Sequence, residues 1–184
     1  MKGFHVNQRV GVFVDIQNMY YSAINLYNSK VDFRIILNDA VQGRNLIRAF
    51  AYVIKADIGE EEGSFFEALE NMGFDVRSKD LQVFAGGHKK GDWDVGLAMD
   101  AIRMAPKLDT VVLVSGDGDF TDLVRYLNGQ GCRVEVMAFR KSASSHLIDA
   151  ADYFFDLEGK KKYLRKKKKP SKSRKKTTNP GKNK

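Results

Sequence analysis

Residues 110–120 read TVVLVSGDGDF: a β-branched and aliphatic run that stops at a serine and passes into two aspartates set between glycines. A run without polar alternation describes a strand covered on both faces, as parallel strands in α/β sheets are. RVGVFVD at residues 9–15 has the same character and also ends in a carboxylate. Working outward, helices are expected over 18–27, 39–45, 60–72, 93–104, 120–127 and 144–151. The helix over 60–72 (EEEGSFFEALENM) has acids in its first turn and Gly73 just beyond its end. Further strands are expected over 49–55 (AFAYVIK), within 74–84, over 133–139 (RVEVMAF) and, as a short edge strand, over 153–156. Strands alternating with helices at this spacing imply βαβ units around a mostly parallel sheet flanked by helices. Ligands of such sheets bind beyond the carboxyl ends of the strands, where the strand order reverses.

The charge is unevenly spread. The formal net charge is +8, yet 14 of the 31 Lys and Arg residues lie between Lys160 and Lys184, where there is no acid. The remaining 17 face 23 Asp and Glu, so residues 1–159 carry a formal −6. The chain therefore reads as one acidic folded domain over 1–159 and a basic tail over 160–184. The tail cannot bury enough apolar surface to offset its chain entropy and is expected to be disordered. Nucleic acid is the partner expected for it, through its phosphates, the alternative being a solvated or targeting tail. The single cysteine, Cys132, falls in a core strand and rules out an internal disulfide, as suits a reducing compartment. No apolar run approaches the roughly 20 residues that cross a bilayer. A cytoplasmic protein without membrane contact is expected, and a homodimer is compatible with it.

Asp15 ends the first strand, and Asp117 and Asp119 follow the 110–115 strand. If those strands are neighbours, three carboxylates meet in one crevice. Like charges held that close call for a cation, and hard oxygen donors select Mg2+ or Mn2+. Each acid also has a local explanation, since Asp119 suits a cap for a helix beginning at Phe120. Asp15 has no capping duty unless a helix begins at once. There is no GxGxxG after the first strand, no GxxxxGK[ST] loop and no GxSxG around Ser115, so nicotinamide, NTPase and serine-hydrolase chemistry lack support. His5, His88 and His146 lack metal-ligand spacing.

Four segments together, VGVFVDIQNMYYSA (10–23), KKGDWDVGLAMDA (89–101), VVLVSGDGDFTDLVRYLNGQGCRVEVMAF (111–139) and SSHLIDAADYFFDLE (144–158), resemble the NYN domain, in its LabA-like (DUF88) group within the PIN-like nuclease superfamily. The resemblance spans about Arg9 to Glu158. It implies a PIN-like, Rossmann-like parallel sheet and an acidic site that binds Mg2+ or Mn2+ to cleave RNA. Position by position, it implies catalytic and metal-binding roles for Asp15, Asp94, Asp117 and Asp119. Asp92 is the weaker choice beside Asp94, and Asp100 and Asp122 recur as acids without an assignable role. Contacts to substrate are implied for Asn18 and Ser115. Asn18 can donate to a scissile phosphate oxygen or cap the first helix. Lys89 and Lys90 lie beside the expected site and either hold the substrate backbone or belong to a solvated loop. The expected function is metal-dependent hydrolysis of RNA phosphodiesters. The rival is a non-catalytic RNA-binding or regulatory module of the same fold. A phosphotransfer receiver domain fits less well, because neither its acceptor aspartate after a central third strand nor its later lysine is evident.

Overall fold

In the computed structural model, which describes residues 5–55, 62–80, 82, 83, 89, 90 and 93–166, the two strands that end in carboxylates lie side by side. They are β1 (Arg9–Asp15) and β7 (Thr110–Val114), at the centre of a six-stranded sheet. Its other strands are β3 (Asn45–Ile54), β4 (Asp75–Lys79), β8 (Arg133–Ala138) and β9 (Tyr153–Asp156). The order is β4-β3-β1-β7-β8-β9, and every neighbouring pair is parallel. Two small antiparallel pairs stand apart, β2 (Ser29–Val31) with β10 (Leu164–Lys166) and β5 (Gln82–Val83) with β6 (Lys89–Lys90).

The period of two along β1 divides the core. Val10, Val12 and Val14 face α1 (Ile16–Tyr27), α2 (Phe33–Val41) and α3 (Glu62–Asn71) through Met19, Ile36 and Leu69. Phe13 faces the other way, among Leu97 and Ala101 of α4 (Asp94–Met104), Val124 and Leu127 of α5 (Thr121–Gly129), and Leu147 of α6 (Ser145–Ala150). With both faces covered, all five residues of β7 are buried. Chain order runs from β1 outward to β3 and β4 on one side and through β7, β8 and β9 on the other. The strand order therefore reverses between β1 and β7.

Several boundaries shift by a few residues, β3 beginning at Asn45 and α1 at Ile16, and two differences matter most. The second helix is not at 39–45 but at Phe33–Val41, with the Asp32 side chain accepting from the Ile35 amide and the helix stopping at Gln42 in the left-handed conformation. Its β-branched pair Ile35 and Ile36 disguises it, whereas burial of Phe33, Ile36, Leu37 and Ala40 on one face makes it helical. The folded body also continues past 159. Tyr163 is fully buried, and its hydroxyl and Lys162 Nζ both donate to Asp39. Its carbonyl accepts from the Asp32 amide at 2.8 Å, and Arg165 reaches Asp32 at 2.5 Å. One tyrosine with two acidic partners thus draws the first part of the basic run onto the domain. Residues 167–184, the rest of the tail expected to be disordered, lie outside the described residues. No helix among the described residues is long and apolar enough to cross a membrane.

Candidate functional site

Val14 pairs with Val114, so Asp15 and Ser115 leave the sheet together at its carboxyl edge, where the strand order reverses. The first helix begins immediately at Ile16. Asp15 is therefore its N-cap, and its Oδ1 accepts from the Asn18 amide at 2.9 Å. Its other oxygen accepts from Ser115 Oγ at 3.2 Å. Ser115 Oγ in turn accepts from the Asp117 amide at 3.1 Å, and Asn18 Oδ1 accepts from the Gly116 amide at 3.0 Å. These bonds tie the β1 turn to the β7 turn. Ser115 is fully buried between two aspartates, so it acts as a strut within the site. Gly116 is required by close approach, because a Cβ there would fall 2.8 Å from the Ser142 carbonyl oxygen and 3.0 Å from Ala143 Cα.

Asp117 caps the short turn Gly118–Phe120 by accepting from the Asp119 amide at 3.0 Å. The capping duty considered for Asp119 thus falls to Asp117, and Asp119 is left exposed. Asp94 opens α4 with no side-chain cap before it. Asp94, Asp117 and Asp119 each offer a carboxylate oxygen within 4.8 Å of the other two. Asp15 lies outside this trio but feels it. Burial first, then the charges of Asp94 and Asp117, push its carboxyl up to about 6 against the opposing bonds from Asn18 and Ser115. Three hard oxygen donors converging at an open edge match the ligand preference of Mg2+ or Mn2+.

Asp15, Asp94 and Asp117 line a cleft of about 370 Å³. Along it run Asn18, Tyr21, Ser22, Asn25 and Leu26 of α1, with Tyr52, Ile54 and Trp93 also lining it. Trp93 is held by its indole N–H on the Val53 carbonyl at 2.9 Å, by the Tyr52 ring at 5.4 Å and by Lys79 Nζ 4.2 Å above its own ring. The Tyr52 hydroxyl donates to Asp100 at 3.1 Å, which gives Asp100 a task in holding this wall. Asp122 pairs with Arg125 on the surface.

The structure brings together Asp15, Asn18, Asp94, Ser115, Asp117 and Asp119. Lys89 and Lys90 form β6, apart from the main sheet, and their side chains lie outside the described residues, as does Asp92. The sequence reading missed the α1 wall. Its signal was there: Asn18, Tyr21, Ser22 and Asn25 recur at helical spacing on one face, beginning at the residue already singled out.

The family model for the NYN domain matches residues 9–158. The chain is 27% identical over 170 residues to the Low amplitude and bright protein LabA of Synechococcus elongatus, covering 88% of this chain and 90% of that protein. It is 28% identical over 157 residues to an uncharacterised protein of Methanocaldococcus jannaschii, covering 83% of this chain and 55% of that one. A crystal structure of a protein of unknown function from Vibrio parahaemolyticus superposes with a TM-score of 0.80 at 34% identity, covering 88% of this chain and 99% of its own.

Proposed function

The chain belongs to the NYN domain family, and from that premise we propose that it is a metal-dependent ribonuclease, hydrolysing RNA phosphodiesters at the carboxyl edge of its sheet. The observation that carries the reading is the approach of Asp94, Asp117 and Asp119 to within 4.8 Å at the point where the strand order reverses, with Asp15 behind them. Holding these acids together costs the apo fold electrostatic energy, and a cation offsets that cost. Mg2+ or Mn2+ bound there supplies an acidified water and neutralises charge developing on the phosphate.

The chain's own residues do the positioning. The Asp15–Ser115–Asp117 chain of hydrogen bonds ties the Asp15 carboxylate to the backbone of the turn that carries Asp117. With its oxygen engaged by Gly116, Asn18 is oriented to offer its amide N–H to a non-bridging phosphate oxygen. In-line attack at this edge leaves 5′-phosphate and 3′-hydroxyl ends. Residues 167–184 hold nine Lys and Arg and no acid, and serve to retain the RNA through its phosphates.

The test is cleavage of labelled RNA by the full chain with Mn2+ or Mg2+. Activity should vanish in excess chelator and return on adding the metal back. Cleavage that persists in chelator overturns the proposal, and RNA binding without cleavage by any cation would favour the binding-module reading. Deletion from Lys167, which spares Tyr163, should leave turnover at saturating RNA intact. It should also flatten the slope of log affinity against log salt by about 3 to 4 units if the tail touches about 4 to 6 phosphates. An unchanged slope removes the tail from the RNA-binding surface.

A further inference from the structure

We infer that the α1 wall of the cleft is a nucleobase site, with Tyr21 as its stacking platform and Asn25 as the group that meets the base edge. The inference rests on the ribonuclease reading for what occupies the acidic end and goes beyond it in assigning the rest of the cleft.

The described part of the lining suits a base better than a backbone. Among the described residues that line the cleft there is no lysine or arginine. A surface built to follow a phosphate backbone needs cations, because phosphate contacts are charge contacts. This one instead presents aromatic rings, primary amides and a few aliphatic side chains, which are the groups that take the π-face and polar edge of an unpaired base. Tyr21 is 42% exposed although it lines a cleft, and Leu26 is 37% exposed. Tyr20 braces the Tyr21 ring in an edge contact, with centroids 5.4 Å apart and planes at 77°. Asn25 stands one helical turn beyond Tyr21 and two beyond Asn18, so three side chains of one helix run away from the carboxylates in a row.

The dimensions agree. At about 370 Å³ the cleft lies at the small end of ligand pockets, room for one nucleotide unit and not for a paired duplex. With a phosphate at the acids, an attached base has the α1 wall to lie against, where Tyr21 follows Asn18 by about one turn. The nucleotide held there is therefore unpaired, as in a single strand, a loop or a frayed end. Asn25 supplies both a donor and an acceptor to the base edge. Trp93 lines the same cleft, and its two described ring neighbours keep it in place.

Trp93 is the only tryptophan in the chain, so its single indole N–H resonance reports occupancy of the cleft directly. The test titrates the full chain, in Mg2+, with nucleoside 5′-monophosphates, which contain no internal phosphodiester to cleave, and with ribose 5-phosphate, which lacks the base. The nucleotides should shift the indole resonance saturably, and ribose 5-phosphate should bind at least about 5-fold more weakly. Tyr21→Ala should weaken nucleotide binding by about 5- to 150-fold, the range for loss of one stacked base. Tyr21→Phe should stay within about 3-fold, and Asn25→Ala should narrow the differences among the four bases. Equal binding of ribose 5-phosphate and nucleotide, or unchanged binding by Tyr21→Ala, overturns the inference even if the protein cleaves RNA. Conversely, base-dependent binding lost in Tyr21→Ala sustains it even if no RNA is cleaved, in which case it is the ribonuclease reading that fails.

Discussion

The two edges of the sheet treat their acids in opposite ways. At the amino edge, Asp109 accepts the Arg9 guanidinium through both oxygens and the Arg9 amide at 2.7 Å, and the Arg9 contacts hold its carboxyl below the usual range. Nearby, the buried Glu135 is gripped by Arg44 at 2.8 Å and Arg133 at 2.9 Å. At the carboxyl edge no lysine or arginine among the described residues pairs with Asp15, Asp117 or Asp119, and the Asp15 carboxyl rises to about 6. The acids of one edge are neutralised by the fold and serve stability. At the other, Asp156 is likewise paired, with Arg140 at 2.8 Å, and on the proposed reading it is Asp15, Asp117 and Asp119 whose charge a cation takes up.

That contrast is broken most severely by Asp117→Asn. It removes charge at the carboxyl edge with almost no change of volume, and should lower kcat at least about 100-fold, since a metal site supplies several kcal/mol to the transition state. The melting temperature in chelator should not fall. Turnover like that of the parent would end the assignment. At the other edge Arg44→Met should do the reverse: with Glu135 buried and one partner gone, urea melts should show a loss of about 3–5 kcal/mol. Cleavage per folded molecule should be unaffected, and a loss of activity equal to that of Asp117→Asn would erase the distinction between the edges.

Asp15→Asn sharpens the contrast with a gain. Asparagine caps a helix as well as aspartate, its oxygen keeping the bond from the Asn18 amide while its NH2 replaces the second carboxylate oxygen and donates to Ser115 Oγ. The folded carboxyl titrates near 6, above its unfolded value of 3.8, so the folded state binds the proton more tightly. Stability is lost as pH rises through that window, and the charge is a standing penalty above it. In chelator the variant should therefore be more stable by on the order of 2 kcal/mol at about pH 7, with the gain gone below about pH 4. Denaturation midpoints at the two pH values check this, and a pH-independent difference would remove the electrostatic cause. The smallest effect belongs to Arg9→Ala. Its pair with Asp109 is exposed, and the shift in midpoint should lie within the scatter of repeat melts.

Much of the site was legible, because its acids sit where local rules put them, at the ends of two apolar strands and in a glycine-bearing turn. Their division of labour was not. Asp15 is the acid with no local explanation unless a helix begins at once, and the helix does: Asp15 is the N-cap of a helix that starts one residue later, while Asp117 and not Asp119 caps the next turn. A cap depends on where the helix begins to within one residue, which is the least certain part of a pattern reading. Tyr163 was hidden differently: among lysines it looks solvated, and its partners Asp39 and Asp32 lie more than a hundred residues earlier.

The sequence by itself determined the alternation of strands and helices, the parallel class of the sheet and the candidacy of Asp15, Asp117 and Asp119. Each follows from side-chain periodicity and turn chemistry within a few residues of chain. The family resemblance added Asp94 to those acids, and tertiary structure alone decided that β1 and β7 are neighbours, that α1 turns its Asn18–Tyr21–Asn25 face into a cleft, and that the fold reaches Lys166. Those are choices among distant partners, made by how much apolar surface each pairing removes from water, and no local window contains that quantity.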